Sequence, residues 1–396
     1  MAELVKRRCV ISIGDYEPID IEQQFANFQR ELQRFGQTWN ITARPSPFKV
    51  EADGAIAVCQ IETEAPNWSV HTEFRQLNWS DIFEKEFRRW GFVRIWRAIK
   101  AITDFATSGT CWRSFRLNWR FGLFFFYPVI IVLFFAIAAL WLATLLGNLA
   151  VPFALSLSFA IAAVLLVIFV KRVDPLALPR IISMWIILYD LVHQKRAGLA
   201  ERLGVFTQDI VEKLEAGGFD EIVIVGHGLG AVIQPIIVDR ALWALPKFGK
   251  DIGQSISLLS LGSLLLAVGL HPEAALVVGP VSRIARDRMI YWVEYQARTD
   301  VISFPGSNPV TEIFDQHHNT PVLQDIKFKE MIDTGAKRQF RESVYQKHRQ
   351  FVQANSKKYF YDFFMVCCGP FTLSMRVEHP ELMVETFYPD GRLIID

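Results

Sequence analysis

Hydrophobic positions in this chain fall into three kinds of run, and each kind predicts a different element. Short apolar runs closed by turn residues mark strands: Cys9-Val-Ile-Ser-Ile13 stops at Gly14-Asp15-Tyr16, and Ile222-Val-Ile-Val225 stops at Gly226. Further strands are expected over 39–43, 55–61, 71–77, 257–261 and 290–295. Helical spacing runs instead over 20–35, most of 181–217 and about 272–286. Strands alternating with helices imply an α/β fold, a mostly parallel sheet with helices on both faces.

The third kind of run stands apart. From Phe121 to Val170, 170 − 121 + 1 = 50 residues, there is no Asp, Glu, Lys, Arg or His. A membrane span needs about 20 such residues, so the run is long enough for two. Gly147-Asn148 and Pro152 divide it, which predicts transmembrane helices over 121–145 and 151–170 joined by a tight turn. Arg113, Arg116 and Arg120 precede the pair, Lys171 and Arg172 follow it, and the turn carries no charge. Positive flanks on both sides place both ends in the cytoplasm. The expected organisation is an N-terminal part of the α/β domain over 1–80, a basic juxtamembrane segment over 81–120, a transmembrane hairpin over 121–172 and the rest of the domain over 173–396. Lys6-Arg7-Arg8 is followed by only six residues before Asp15, so no signal peptide is expected.

Charge refines the segment before the hairpin. Between Glu84 and Arg120, nine basic residues stand against three acidic ones, a balance of 9 − 3 = +6. Phe92, Trp96, Ile99 and Ile102 recur among them at helical spacing, as in a helix lying among headgroups. The chain as a whole has a net charge of only +1, so anionic membrane lipid is the expected partner of 84–120 and no nucleic acid is. A solvated basic face is the alternative. Five scattered cysteines, with Cys367-Cys368 adjacent, and His317-His318 form no metal-ligand spacing, so neither a metal nor any other cofactor is expected.

The chemistry lies at Gly226-His227-Gly228-Leu229-Gly230, the turn after the strand 222–225. In a G-x-S-x-G elbow, small residues flank a serine held on a sharp strand-to-helix turn. Here Gly228 takes the central place, suited to strained dihedrals but without an oxygen to attack a carbonyl.

These residues resemble the α/β-hydrolase superfamily. The resemblance covers the elbow, the strand end Leu259-Ser-Leu-Gly-Ser263, the segment Ala297-Arg-Thr-Asp-Val-Ile-Ser303 and the Gly14-Asp15-Tyr16 turn, which lies where the family's oxyanion loop is found. The whole arrangement, an opening Gly-Asp-Tyr-Glu-Pro turn, a basic segment, two spans and a late elbow, is similar to a bacterial group of membrane-anchored members. The resemblance thus implies the inner membrane and an acyl-ester or lipid substrate. The family order of nucleophile, acid and histidine carries onto Gly228 as a degenerate nucleophile position, Asp300 as acid and His348 as base, with oxyanion donors in the Leu229 N–H and the Gly14 to Tyr16 loop. The resemblance also implies that a serine placed at 228 could regain nucleophilic chemistry.

Other readings compete. Asp300 also fits a turn cap, His348 a polar helix position, and His317 or His318 the histidine role. Ser263 is an alternative nucleophile, and an Asp–His general base needs none. Gly226 to Ala231 also satisfies G-x-G-x-x-A, a dinucleotide fingerprint, but no acid ends the next strand. A purely structural tight turn is the remaining possibility, and Pro235 departs from a clean elbow helix. With the hydroxyl missing, the expected protein is a degenerate or non-catalytic serine-hydrolase-like one, with an esterase that uses another group as the alternative.

Overall fold

A computed structural model describes residues 4–16, 21–87, 91–173, 177–245, 255–314, 321–333 and 344–394. The chain divides into two compact units, Met1–Lys85 with Leu191–Asp396, and Glu86–Asp190. In chain order the elements begin β1 (Arg7–Ile13), α1 (Ile21–Trp39), β2 (Thr42–Pro45), β3 (Lys49–Glu51), β4 (Ile56–Ala65), β5 (Trp68–Leu77) and α2 (Ser80–Phe87). Five helices follow: α3 (Gly91–Thr107), α4 (Thr110–Leu117), α5 (Trp119–Asn148), α6 (Ala154–Val173) and α7 (Ala177–Val192). The chain then forms α8 (Leu199–Ala216), β6 (Glu221–His227), α9 (Gly230–Ala244), β7 (Ser255–Leu261), α10 (Leu265–Gly269), α11 (Ala275–Ile284), β8 (Ile290–Gln296) and, further on, β9 (Val322–Asp325).

Among the described residues, nine strands make one sheet in the order β2-β4-β5-β1-β6-β7-β8-β9, with β3 on β4. From β5 to β9 every neighbour is parallel, and only β2, β3 and β4 join antiparallel. This is an α/β fold with a mostly parallel sheet. Strand β6 is buried along its whole length, as its unbroken apolar run requires of a central parallel strand. Val223 and Val225 join a core with Leu32 and Phe35 of α1 and with Phe363 to Cys368. Ile222, Ile224 and Gly226 point to the opposite face. There Gly226 lies against Ala231 and Gln234 of α9, so the sheet is covered on both sides.

Trp39 does not open a strand. It closes α1, buried in line with Leu32 and Phe35, and its indole Nε1 donates to Asp362 at 3.1 Å. The helical spacing therefore continues past Phe35, and β2 starts at Thr42. The C-terminal segment is fixed to the sheet by a buried pair. Arg8 and Glu221 face each other across β1 and β6 at 3.0 Å, Arg8 donates to the carbonyls of Gly369 and Phe371, and Glu221 accepts from the Leu373 N–H.

In the second unit, α5 is one helix of 30 residues holding an 18-residue stretch of mean hydropathy 2.9, long and apolar enough to cross a membrane. Its partner α6 is a shorter helix, Ala154–Val173, apolar from Ala154 through Phe169. The two helices pack together, with Phe135 and Phe169 ring centroids 5.9 Å apart.

Helix α3 forms where the basic amphipathic segment was expected, but not all of its arginines face outward. Arg94 donates to the Pro179 carbonyl and the Ser183 hydroxyl, and Arg97 pairs with Asp190 at 2.9 Å. Its exposed side carries Phe92, Ile95, Trp96 and Ile99. Trp112, Phe115 and Trp119 are also exposed, alongside Arg113, Arg116 and Arg120 at the same spacing.

Candidate functional site

The glycines of Gly226-His-Gly-Leu-Gly230 are there because backbone crowds the turn. A Cβ on Gly226 would sit 2.6 Å from the Ala231 Cα, and one on Gly230 would sit 2.1 Å from the carbonyl oxygen of Ile13. Gly228 differs in two ways. Its φ is +56°, in the left-handed region, and a Cβ there would meet side chains instead of backbone. Those side chains are the Asp15 carboxyl, with Cγ at 2.6 Å and Oδ1 at 2.7 Å, and His348 Nε2 at 2.8 Å. Its N–H donates to the Leu261 carbonyl and its own carbonyl accepts from Leu264, so β7 holds the turn in place.

His348 lies in the short helix Val344–Arg349 and is buried. Its Nδ1 meets Asp300 Oδ2 at 2.8 Å. With a carboxylate as acceptor, Nδ1 carries the proton and Nε2 is left pointing toward Gly228. Asp300 follows β8 and also caps its own turn, because its Oδ1 accepts from the Ile302 N–H at 3.1 Å. Its two oxygens thus hold the turn and the imidazole together. The ring of His348 stacks on His227, with centroids 4.6 Å apart, and Phe351 packs edge-on at 6.1 Å. His227 Nε2 donates to the His348 carbonyl at 3.0 Å. Burial holds the His227 pKa well below the ordinary value, and the neighbouring charge of His348 adds to this. His227 is therefore a neutral support for His348.

The expected oxyanion donors converge on one group, and that group belongs to the chain itself. Asp15 Oδ1 accepts from the Leu229 N–H at 3.0 Å, and the Tyr16 N–H also bonds to this carboxylate. Asp15 Oδ2 lies 3.7 Å from His348 Nε2. Burial pushes the Asp15 carboxyl up from its ordinary range, opposed by the charge of His348 and by the two N–H donors. The Asp15 loop is held by the Trp79 indole, which donates to the Gly14 carbonyl at 3.1 Å, and by Tyr16 packed edge-on against Phe83.

The structure thus brings together Gly228, Leu229, Asp15, Tyr16, Asp300 and His348, at the carboxyl ends of β1, β6 and β8 and on the short helix Val344–Arg349. Ser263 takes a different part: its Oγ accepts from the Leu265 N–H at 3.0 Å and caps the turn into α10. Residues 317 and 318 lie outside the described residues. At the start of α9, where a dinucleotide fingerprint would seat a pyrophosphate, the Asp15 carboxylate already bonds the Leu229 N–H, and a second anion there would be repelled.

Sequence reasoning assigned Asp15 only a backbone part and missed its side chain. The signal was an acid directly after the strand that neighbours the elbow strand. A cleft of about 300 Å³ opens beside it, lined by Asp15, Gln24, Asn27, Gln76, Arg349 and Gln353 among others. Comparison of the chain with protein-family profiles, curated proteins and solved structures finds no match.

Proposed function

We propose that this chain is a membrane-tethered α/β-hydrolase-like protein without serine-hydrolase turnover. Support for the hydrolase-like part is the order along the chain of elbow, acid and histidine, at 228, 300 and 348, with a donor loop on the strand beside the elbow. The observation that carries the loss of serine chemistry is the filled nucleophile position. Gly228 offers no hydroxyl, and the space for one is taken by the Asp15 carboxyl, 2.6 Å from where a Cβ would be. That carboxylate also bonds the N–H that an acyl oxyanion would need, and losing one such donor slows acyl transfer by about 10² to 10³.

Support for the tether is the length and apolarity of α5, its packing against α6, and the basic residues at both outer ends of the pair. On this reading both termini are cytoplasmic, in a bacterial inner membrane. The rows Trp112, Phe115, Trp119 and Arg113, Arg116, Arg120 suit the aromatic and anionic headgroup layers. A second reading, an esterase using an Asp–His general base, draws on the 2.8 Å pairing of Asp300 Oδ2 with His348 Nδ1.

The test is a fluorophosphonate probe and a short-chain nitrophenyl ester offered to the detergent-solubilised natural chain. The expected result is no covalent label and no ester turnover above buffer. Phosphonylation of any serine together with ester turnover abolished by His348→Ala would refute the reading.

A further inference from the structure

If serine chemistry is gone, the site still holds a carboxylate and an imidazole aimed at each other. Resting on the loss of serine chemistry proposed above, we propose that Asp15 and His348 are the reacting pair of this site. They move protons on a small polar substrate, with the Asp15 carboxylate as base and His348, carrying a second proton on Nε2 beside that carboxylate, as acid.

Three features carry this. The first is position, since Asp15 stands where the elbow would present its nucleophile, beside the histidine that would serve it. The second is the division of labour within each group. Asp15 Oδ1 is anchored by the Leu229 N–H and the carboxylate also takes the Tyr16 N–H, Oδ2 lies 3.7 Å from His348 Nε2, and His348 Nδ1 is anchored by Asp300. Both side chains are thus held by one atom and presented by the other, as proton transfer between fixed partners requires. Acyl transfer is poorly served by the same arrangement, because a carboxylate attacking an ester gives a reactive anhydride and the oxyanion donors are already engaged.

The third feature is access. The Asp15 side chain keeps 19% of its surface while that of His348 keeps 1%, so a substrate entering the cleft meets the carboxylate first. The cleft walls carry the side-chain amides of Gln24, Asn27, Gln76 and Gln353, suited to hydroxyl and carbonyl groups, and a volume of about 300 Å³ admits a small molecule. For a hydroxycarbonyl substrate the balance closes. Asp15 Oδ2 takes the proton on the carbon beside the carbonyl, and the C–H electron pair becomes the enediol double bond. The carbonyl oxygen takes the Nε2 proton of His348. Asp15 then gives its proton to the neighbouring carbon and the other enediol hydroxyl gives its proton to His348 Nε2, which restores the pair with nothing oxidised or reduced.

Glycidol tests the pair directly, because a carboxylate opens an epoxide efficiently only beside a proton donor. Asp15 Oδ2 would form the new C–O bond, the ring C–O bond would break, and its oxygen would take the proton from His348. The expected result for the full chain in detergent is an ester on Asp15, found by peptide mass spectrometry. It should form about a hundredfold faster than esters on Asp390, whose side chain keeps 47% of its surface. His348→Gln should remove that advantage, and Asp300→Asn, which keeps the side-chain volume, should reduce it about tenfold in a chain with an unchanged circular dichroism spectrum. Esterification of Asp15 at the rate of Asp390 in the folded natural chain, or a fast rate indifferent to both variants, would overturn the proposal. Fluorophosphonate labelling would instead refute only the loss of serine chemistry, so the two failures are distinct.

Discussion

On one side of the site, Asp300 and His348 meet through a 2.8 Å hydrogen bond, with His227 stacked behind. On the other side, where a hydrolase elbow presents a hydroxyl, a glycine faces a carboxylate brought in from β1. On the proposed reading, the first side holds the parts of a proton-moving pair, and the second puts an anion where a hydrolase presents a neutral nucleophile. The difference teaches that a turn without a hydroxyl need not leave an empty site. The Leu229 and Tyr16 N–H groups bind a carboxylate, which Asp15 provides.

The comparison is broken most strongly at the elbow glycines. Gly230→Ala should cost about 3 kcal/mol or more, since its Cβ meets the Ile13 carbonyl, which is backbone and cannot swing away. Removing the Asp15 side chain should not recover that loss in a chemical denaturation series. Recovery would mean that the turn is less fixed than its contacts require.

A second buried carboxyl sharpens the contrast with Asp300. Glu294 on β8 accepts from Gln296 through Oε1, but its Oε2 has no hydrogen-bond partner among the described residues. Burial pushes its pKa up from 4.5 to about 7. The folded state therefore holds a proton that the unfolded state releases, and the resulting stability, complete below the unfolded value near 4.5, is lost as pH rises through 7. Over that window the loss is about 3 kcal/mol, and Glu294→Gln should flatten it. Denaturation midpoints at pH 5 and pH 8 check this, and an equally steep fall in the variant would count against a neutral Glu294.

The smallest effect is the most specific to the filled position. Gly228→Ala should cost about 2 kcal/mol, part from the left-handed φ and part from the clash with Asp15. In an Asp15→Ala background the part due to the carboxyl should vanish, leaving about 1 kcal/mol from the left-handed φ and the contact with His348 Nε2. Strict additivity in the double-mutant cycle would show that the two residues do not compete for space.

How much was legible follows from how local each feature is. The strands, the glycine turn and the apolar run are written in contiguous residues, so alternation and spacing expose them. Asp300 and His348 are separated by 48 positions, and only their order relative to the elbow suggested a meeting. The side chain of Asp15 was hidden, because its partner Leu229 lies 214 positions away and a strand-end aspartate usually serves its own turn. Trp39 was misplaced because aromatic residues suit strands and helix faces alike, and only its bond to Asp362 settles the matter. The basic count over 84–120 could not reveal that Arg94 and Arg97 bind Ser183 and Asp190, which lie in α7, beyond the two long apolar helices.

The central claim is that Asp15 occupies the place of the missing nucleophile, and the most direct measurement of it is fluorophosphonate labelling of Gly228→Ser with and without Asp15→Ala. In the single variant the introduced hydroxyl would meet the Asp15 carboxyl and find the Leu229 N–H engaged, so labelling should stay at background. In the double variant the donor and the space are released beside His348, and labelling at position 228 should rise about a hundredfold and disappear when His348→Ala is added. Equal labelling of the single and double variants, or none in a double variant that folds, would contradict the account.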